Sequence, residues 1–136
     1  MKVILDTNVF ISGIFFSGPP FKILEAWKSG AIKLVISPSI FGEYNRVAGE
    51  LSKQFKTIDL SSILELVAIN AEMVPDSSLP SPVCTDPDDD KFLACAISAK
   101  TKIICSGDKA LLKTSGYNNI QVITPSEFWK KLKKES

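Results

Sequence analysis

The stretch KVILD at residues 2–6 joins a short apolar, β-branched run to an aspartate. Such a run predicts a buried strand. Similar runs occur at Lys33–Ile36, 72–74, 102–105 and Gln121–Ile123, and segments with helical spacing of apolar residues lie between them. Strand and helix therefore alternate along the chain, which predicts an α/β fold with a mostly parallel sheet and helices on both faces.

Helix-start signals lie between the predicted strands. Ser37 followed by Pro38 is typical of a helix cap and first turn. The acids at residues 86–90 favour a second helix start, because negative charge is stabilised at a helix N-terminus. Thr124 and Glu127 have the spacing of a capping box, which predicts a last helix after the last strand.

Composition restricts the chemistry. The chain has 136 residues, which predicts one domain over residues 1–136. It has no histidine, so serine–histidine triads, histidine bases and histidine-bound zinc are excluded. Its three cysteines form no C-x-x-C pair, which argues against a disulfide framework or a zinc site. No apolar run is long enough to cross a membrane, so we expect a cytoplasmic protein without membrane contact.

Carboxylates follow two of the predicted strands. Asp6 comes directly after the first strand and Asp108 three residues after the fourth, while Glu43 and Asp90 lie in the helices that follow the second strand and precede the fourth. In an open α/β sheet, functional residues gather at the carboxyl ends of the strands. Carboxylates that meet there need a counter-charge, and an all-oxygen ligand set favours Mg²⁺ or Mn²⁺. Such an ion can activate water for phosphodiester hydrolysis without histidine.

Four motifs, taken in order, resemble those of PIN domains: VILDTNV at residues 3–9, SPSIFGE at 37–43, DPDDDKFLACA at 86–96 and SGDKALL at 106–112. The resemblance covers nearly the whole chain and is greatest to small prokaryotic PIN proteins described as toxins of toxin–antitoxin modules. It implies a three-layer α/β/α fold with a parallel five-stranded sheet. It also implies an endoribonuclease that depends on Mg²⁺ or Mn²⁺.

The resemblance assigns roles to the acids. Asp6, Asp90 and Asp108 would be metal ligands, and Glu43 a ligand or water-positioning acid. Asp90 is chosen because its spacing to the alanines at 94 and 96 fits the third motif, although Asp86 or Asp89 could share the role. Asn8 and Ser106 are expected to support the site by hydrogen bonding. Arg46, Lys91 and Lys109 are expected to contact phosphate groups of the substrate.

The resemblance also implies partners, and other functions are weighed against it. RNA is the expected substrate, an antitoxin protein a partner, and a homodimer the expected assembly. The main alternative is a non-catalytic PIN-fold module that binds RNA or protein. A phosphatase that uses Asp6 as phosphate acceptor is less favoured, because such enzymes usually carry a second aspartate where this chain has Asn8.

Overall fold

The computed structural model describes residues 1–56 and 58–135 and contains a five-stranded sheet. Every adjacent pair of strands is parallel, and the strand order is β3-β2-β1-β4-β5. The predicted α/β class with a parallel sheet is therefore confirmed. The strands are β1 Lys2–Leu5, β2 Lys33–Ile36, β3 Glu72–Met73, β4 Ile103–Cys105 and β5 Gln121–Ile123.

Helices connect the strands. Short 3₁₀ turns at Pro87–Asp89 and Tyr117–Asn119 accompany them. None of the helices among the described residues has the length and apolar character that crossing a bilayer requires. The α-helices are α1 Thr7–Phe15, α2 Pro19–Lys28, α3 Pro38–Ser52, α4 Leu60–Asn70, α5 Asp90–Ser98, α6 Lys109–Leu112 and α7 Pro125–Glu135.

The strand order reverses at β1. From β1 the chain moves to β2 and β3 on one side, then crosses to β4 and β5 on the other. Because parallel crossovers are right-handed, connections that run in opposite directions place their helices on opposite faces of the sheet. The result is the three-layer arrangement, and the point where the order reverses lies between β1 and β4. Their carboxyl ends are the place where a site is expected in such sheets.

The first helix is the main element that the sequence pattern does not predict. Most residues of α1 are apolar, and its buried positions fall on several sides of the helix, as with Val9, Phe10 and Ile11. A helix covered on most sides has no polar stripe, so its period is hard to recognise. The residue that begins it is Asp6, whose side chain accepts a hydrogen bond from the amide of Val9 at 2.8 Å.

Tyr44 fixes α3 against the carboxyl end of β1. Its side chain is fully buried, its ring stacks on Phe10 with centroids 4.2 Å apart, and its hydroxyl donates to the carbonyl of Leu5 at 2.5 Å. The neighbouring Glu43 is therefore held next to the end of β1. The helix itself begins as predicted, with the Ser37 hydroxyl accepting from the amide of Ile40.

Candidate active site

A cleft of about 450 Å³ opens at the carboxyl ends of β1 and β4. Acids from four different parts of the chain lie along it, as the sequence predicts for Asp6, Glu43 and Asp108. The third acidic motif contributes three further aspartates. The residues that line the cleft are Asp6, Thr7, Asn8, Glu43, Arg46, Val47, Asp86, Asp88, Asp89, Phe92, Gly107 and Asp108.

Asp6 is the buried acid of this cleft. Its carboxylate accepts hydrogen bonds from the Val9 amide and the Ser106 hydroxyl, and only 5% of the residue is exposed. Burial raises the pKa of Asp6, the hydrogen bonds lower it, and the charge of Asp108 raises it further, so that the net pKa lies above its ordinary value. A positive charge nearby would therefore stabilise the ionised form of Asp6.

Ser106 connects Asp6 to the loop after β4. Its hydroxyl, which is fully buried, donates to Asp6 and accepts from the backbone amide of Asp108 at 3.0 Å. Asp108 in turn caps α6 through the amide of Ala110 at 3.3 Å, and its side chain is exposed toward the cleft. Ser106 therefore makes hydrogen bonds of the supporting kind that the sequence predicts. Through them it helps to position both Asp6 and Asp108.

Asp89, in the third motif, is a carboxyl group with a raised pKa. Burial, followed by the negative charges of Asp86 and Asp108, raises its pKa to about 6. It precedes α5 without making a side-chain capping hydrogen bond. Among the described residues no three acids already form a ready-made metal site. The raised pKa nevertheless indicates a carboxylate that lacks a counter-charge, which a divalent cation would supply.

Asp90 lies elsewhere. Its carboxylate accepts from the backbone amides of Cys84 at 2.8 Å and Val83 at 3.3 Å, and it lines a neighbouring cavity rather than the acidic cleft. Burial alone would raise the pKa of Asp90, but these two hydrogen bonds outweigh it and hold the pKa below its ordinary value. The structure therefore does not bring Asp90 into the cleft with the other predicted ligands. The 3₁₀ turn at Pro87–Asp89 changes the direction of the chain before α5, and the cleft receives Asp86, Asp88 and Asp89 instead.

Glu43 is held from two sides. The hydroxyl of Thr7 donates to one carboxylate oxygen, and the ammonium of Lys91 lies 2.7 Å from the other. Lys91 also pairs with Asp88 at 2.9 Å. Desolvation opposes the charge of Lys91, but its two carboxylate partners outweigh this and raise its pKa. Lys91 is therefore a positive charge that neutralises part of the acidic cluster.

A family model described as a PIN domain matches residues 2–110. The chain belongs to the PIN-domain family. PIN domains are generally nucleases. The match includes the first three motifs and residues 106–110 of the fourth, so all the residues that line the cleft at the ends of β1 and β4 lie in the matched part of the chain.

One protein is similar to this chain in sequence, and one solved structure is similar to it in fold. An uncharacterized protein of Methanocaldococcus jannaschii, MJ1680, is 31% identical over 147 aligned residues, which cover 98% of this chain and 93% of the relative. The fold is similar to a chain in the crystal structure of VapBC2 from Rickettsia felis bound to a DNA fragment from their promoter. That likeness has a TM-score of 0.60 at 15% identity and covers 90% of this chain and 97% of the other, so it bears on the fold alone.

The remaining predicted residues fall into three positions around the PIN-domain cleft. Asn8 and Arg46 line it, and both are exposed. Lys91 does not line the cleft itself but pairs with Glu43, which does. Lys109 is exposed at the start of α6 and is not among the residues that line the cleft. Thr7 was not predicted as a site residue. The sequence does contain one signal for it, because Thr7 directly follows Asp6. Since α1 begins at Thr7, the Thr7 side chain turns toward the same cleft and contacts Glu43.

Proposed function

We propose that this PIN-domain protein is an endoribonuclease that depends on Mg²⁺ or Mn²⁺ and hydrolyses RNA phosphodiester bonds with a metal-activated water. The observation that carries the proposal is the presence of Asp6, Glu43, Asp89 and Asp108 in one cleft, although they come from four separate segments. Carboxylates brought together in this way repel one another unless a cation lies between them. Family membership supports the same conclusion, since PIN domains are generally nucleases.

Asp6, Asp89 and Asp108 are the residues proposed to hold the metal, with Glu43 as a further ligand or water-positioning acid. Asp89 takes the place first expected for Asp90, because the Asp90 carboxylate is committed to two backbone amides. Carboxylate oxygens are the ligands that Mg²⁺ and Mn²⁺ favour. When bound, such an ion lowers the pKa of a water ligand and stabilises the charge that develops on a phosphate.

The chain prepares this site by fixing its acids in advance. Asp6 is held by the start of α1 and by Ser106, and Glu43 is held by Thr7. A preorganised carboxylate loses little freedom when it binds a cation or orients a water molecule. Arg46 at the rim is the side chain best placed to bind a phosphate of the RNA, because its guanidinium is exposed and always charged.

The biological role we propose is that of a toxin in a toxin–antitoxin pair, acting on RNA in the cytoplasm, with an antitoxin protein as partner and a homodimer as assembly. The sequence motifs and the fold shared with VapBC2 support this part of the proposal. Expression in bacterial cells tests it: the wild-type protein should arrest growth, and Asp6→Asn should not. Equal growth inhibition by both forms would contradict the toxin role.

Purified protein incubated with structured RNA tests the nuclease activity itself. Cleavage should require Mg²⁺ or Mn²⁺ and stop when EDTA is added. Asp6→Asn should lower the rate by about 100-fold or more, the scale found when a group that stabilises developing charge is removed. Asparagine still caps a helix, so the fold should persist. Asp59→Asn, a cap substitution at the exposed start of α4, is the matched control and should cleave as wild type does.

One observation favours the alternative of a non-catalytic binding module. The ammonium of Lys91 already neutralises Glu43 without any metal. If the protein is such a binding module, it should bind RNA equally well in EDTA and in Mg²⁺. Wild type and Asp6→Asn would then show the same residual cleavage. Loss of cleavage in Asp6→Asn alone would reject this alternative.

A further inference from the structure

A second cavity of about 670 Å³ adjoins the acidic cleft. Its floor is formed by α3 and α5, and its outer wall by the serine- and proline-rich loop at residues 77–82. Glu43, Arg46 and Asp88 line both the cavity and the cleft, so the two spaces share one boundary. The volume lies within the ~300–1,000 Å³ typical of small-molecule sites.

The wall of this cavity is tied to the fold at both ends. At its start, Asp76 accepts hydrogen bonds from the hydroxyl and amide of Ser39, at 2.5 and 3.1 Å. At its end, Asp90 accepts from the amides of Cys84 and Val83. These contacts give Asp90 a structural role in place of the one first expected for it. A loop anchored in this way provides a preformed wall.

Between its anchors the wall carries serines and prolines. Ser77 contacts the Ser98 hydroxyl on α5 at 2.8 Å. Ser78 and Ser81 also line the cavity, and both are exposed. Pro80 and Pro82 restrict the backbone between them, because the proline ring fixes φ. The wall therefore offers hydroxyl donors and acceptors on a stiff segment.

The charges at the cavity leave one cation available for an anion. Asp90 is satisfied by backbone amides, and Glu43 and Asp88 share Lys91. Arg46 pairs with Glu50 at 3.1 Å and lies 4.0 Å from Glu43, but its side chain is 61% exposed, and exposed ion pairs of this kind are weak. A phosphate could replace Glu50, since the guanidinium fork matches phosphate geometry. Serine hydroxyls around an arginine suit a sugar and base next to a phosphate.

We propose that this cavity is a subsite for one unpaired nucleotide of the RNA strand, next to the phosphodiester that is cleaved, with Arg46 on the phosphate that joins the two spaces. The inference rests on the proposed nuclease function and deepens it by assigning a nucleotide subsite to the cavity between α3, α5 and the loop at residues 77–82. Of the acids proposed to hold the metal, Glu43 also lines the cavity, whereas Asp6, Asp89 and Asp108 do not. A substitution at a neighbouring lining residue can therefore change the occupancy of the cavity without replacing any of these acids.

Gly42 provides a direct test, because it lies on α3 in the lining of the cavity and a Cβ added there meets no atom within 4 Å. Gly42→Leu would place a side chain in the cavity without a clash at its Cβ. Gly49 lies on the same helix, is equally open, and is outside the lining, so Gly49→Leu is a matched control. Both changes replace a helical glycine with a better helix former, so melting temperatures should stay equal or rise.

The experiment measures binding of a fluorescent single-stranded RNA octanucleotide in EDTA by anisotropy, and kcat/KM for the same RNA in Mn²⁺. Gly42→Leu should weaken binding about tenfold, with the loss of kcat/KM appearing mainly in KM. Gly42→Ala should lose less, and Gly49→Leu should match wild type. Equal affinities for Gly42→Leu and Gly49→Leu would overturn the subsite.

Arg46→Ala gives a second, independent measurement if Gly42→Leu fails to fold. It should lower RNA affinity and reduce the salt dependence of binding, since one phosphate contact is lost. Lys102→Ala is its control, because Lys102 is exposed and directly precedes β4, at the amino end of that strand and not at the carboxyl end where the cleft lies. An unchanged salt dependence in Arg46→Ala would contradict the proposal. Binding that responds to these changes in a protein without metal-dependent cleavage would refute the nuclease function and leave the subsite intact.

Discussion

Two neighbouring aspartates before α5 should respond to neutralisation in opposite ways. The pKa of Asp89 is raised to about 6 by burial and by the charges of Asp86 and Asp108. The pKa of Asp88 is lowered, chiefly by its hydrogen bond to Lys91. Both residues lie at the same helix start, so their interactions with the helix dipole are similar. We therefore expect Asp89→Asn to stabilise the metal-free protein and Asp88→Asn to destabilise it slightly.

The size of the first effect follows from the pKa difference. A change from 3.8 to about 6 corresponds to about 3 kcal/mol, at about 1.36 kcal/mol per pH unit. Asp89 is only partly buried, and solvent screening reduces this value, so a gain of about 1–3 kcal/mol is expected at pH 7.5. For Asp88, whose side chain is 67% exposed, the loss should be small.

The pH dependence has a definite sign. Folded Asp89 binds its proton more tightly than unfolded Asp89, so the native state holds more protons between about pH 4 and 6. The wild-type protein should therefore lose stability relative to Asp89→Asn as pH rises through this window. Below about pH 4 the carboxyl is protonated in both states and the advantage of the variant should vanish.

Urea unfolding in EDTA at several pH values measures these differences for wild type, Asp89→Asn and Asp88→Asn. The same series repeated with Mn²⁺ measures how much the metal stabilises each protein. Metal should stabilise wild type by mass action, and Asp89→Asn should lose most of that gain. If Asp89→Asn were less stable than Asp88→Asn in EDTA at pH 7.5, the Asp89 carboxylate would not be the destabilising charge in the metal-free protein.

Three further substitutions test how the fold positions the site. Tyr44→Phe removes the hydrogen bond to the buried Leu5 carbonyl and should lower the free energy of unfolding by about 1–3 kcal/mol in urea titrations; no change would show that this bond does not hold α3 in place. Gly13→Ala should cost about 1–3 kcal/mol, because its Cβ would lie 2.8 Å from the Pro20 carbonyl oxygen and 2.6 Å from Leu24 Cδ1, whereas Gly49→Ala should be neutral or stabilising in the same assay. Lys91→Met removes the cation that neutralises Glu43 and Asp88, so half-maximal activity should require less Mn²⁺; a higher requirement would mean that Lys91 supports metal binding rather than competing with it.

Much of the fold follows from local sequence signals. β1, β2 and β5 coincide with the predicted runs, and the capping box at Thr124 is present, with Glu127 bonded to both the Thr124 amide and hydroxyl. These elements carry their information within a few residues. The sheet order follows less directly, but the rule that sites form at the carboxyl ends of strands is sufficient to place Asp6 and Asp108 together.

Other features depend on packing that the sequence pattern does not contain. The helix α1 is apolar on several sides because it is buried between other elements, so its period is obscured. The third motif has three consecutive aspartates, and a single 3₁₀ turn decides which of them faces the cleft. Spacing to the alanines of α5 favoured Asp90, whereas the backbone amides at 83 and 84 take that carboxylate out of the cleft.

Crystals of the protein soaked with Mn²⁺ would locate the ion by anomalous scattering. We predict a peak in the cleft at the ends of β1 and β4, with carboxylate oxygens of Asp6, Asp89 and Asp108 around it and Asp90 still bonded to the loop. A peak bound by Asp90 with no contact to Asp6, or a cleft that stays without ion at saturating Mn²⁺, would show that these acids do not form a metal site.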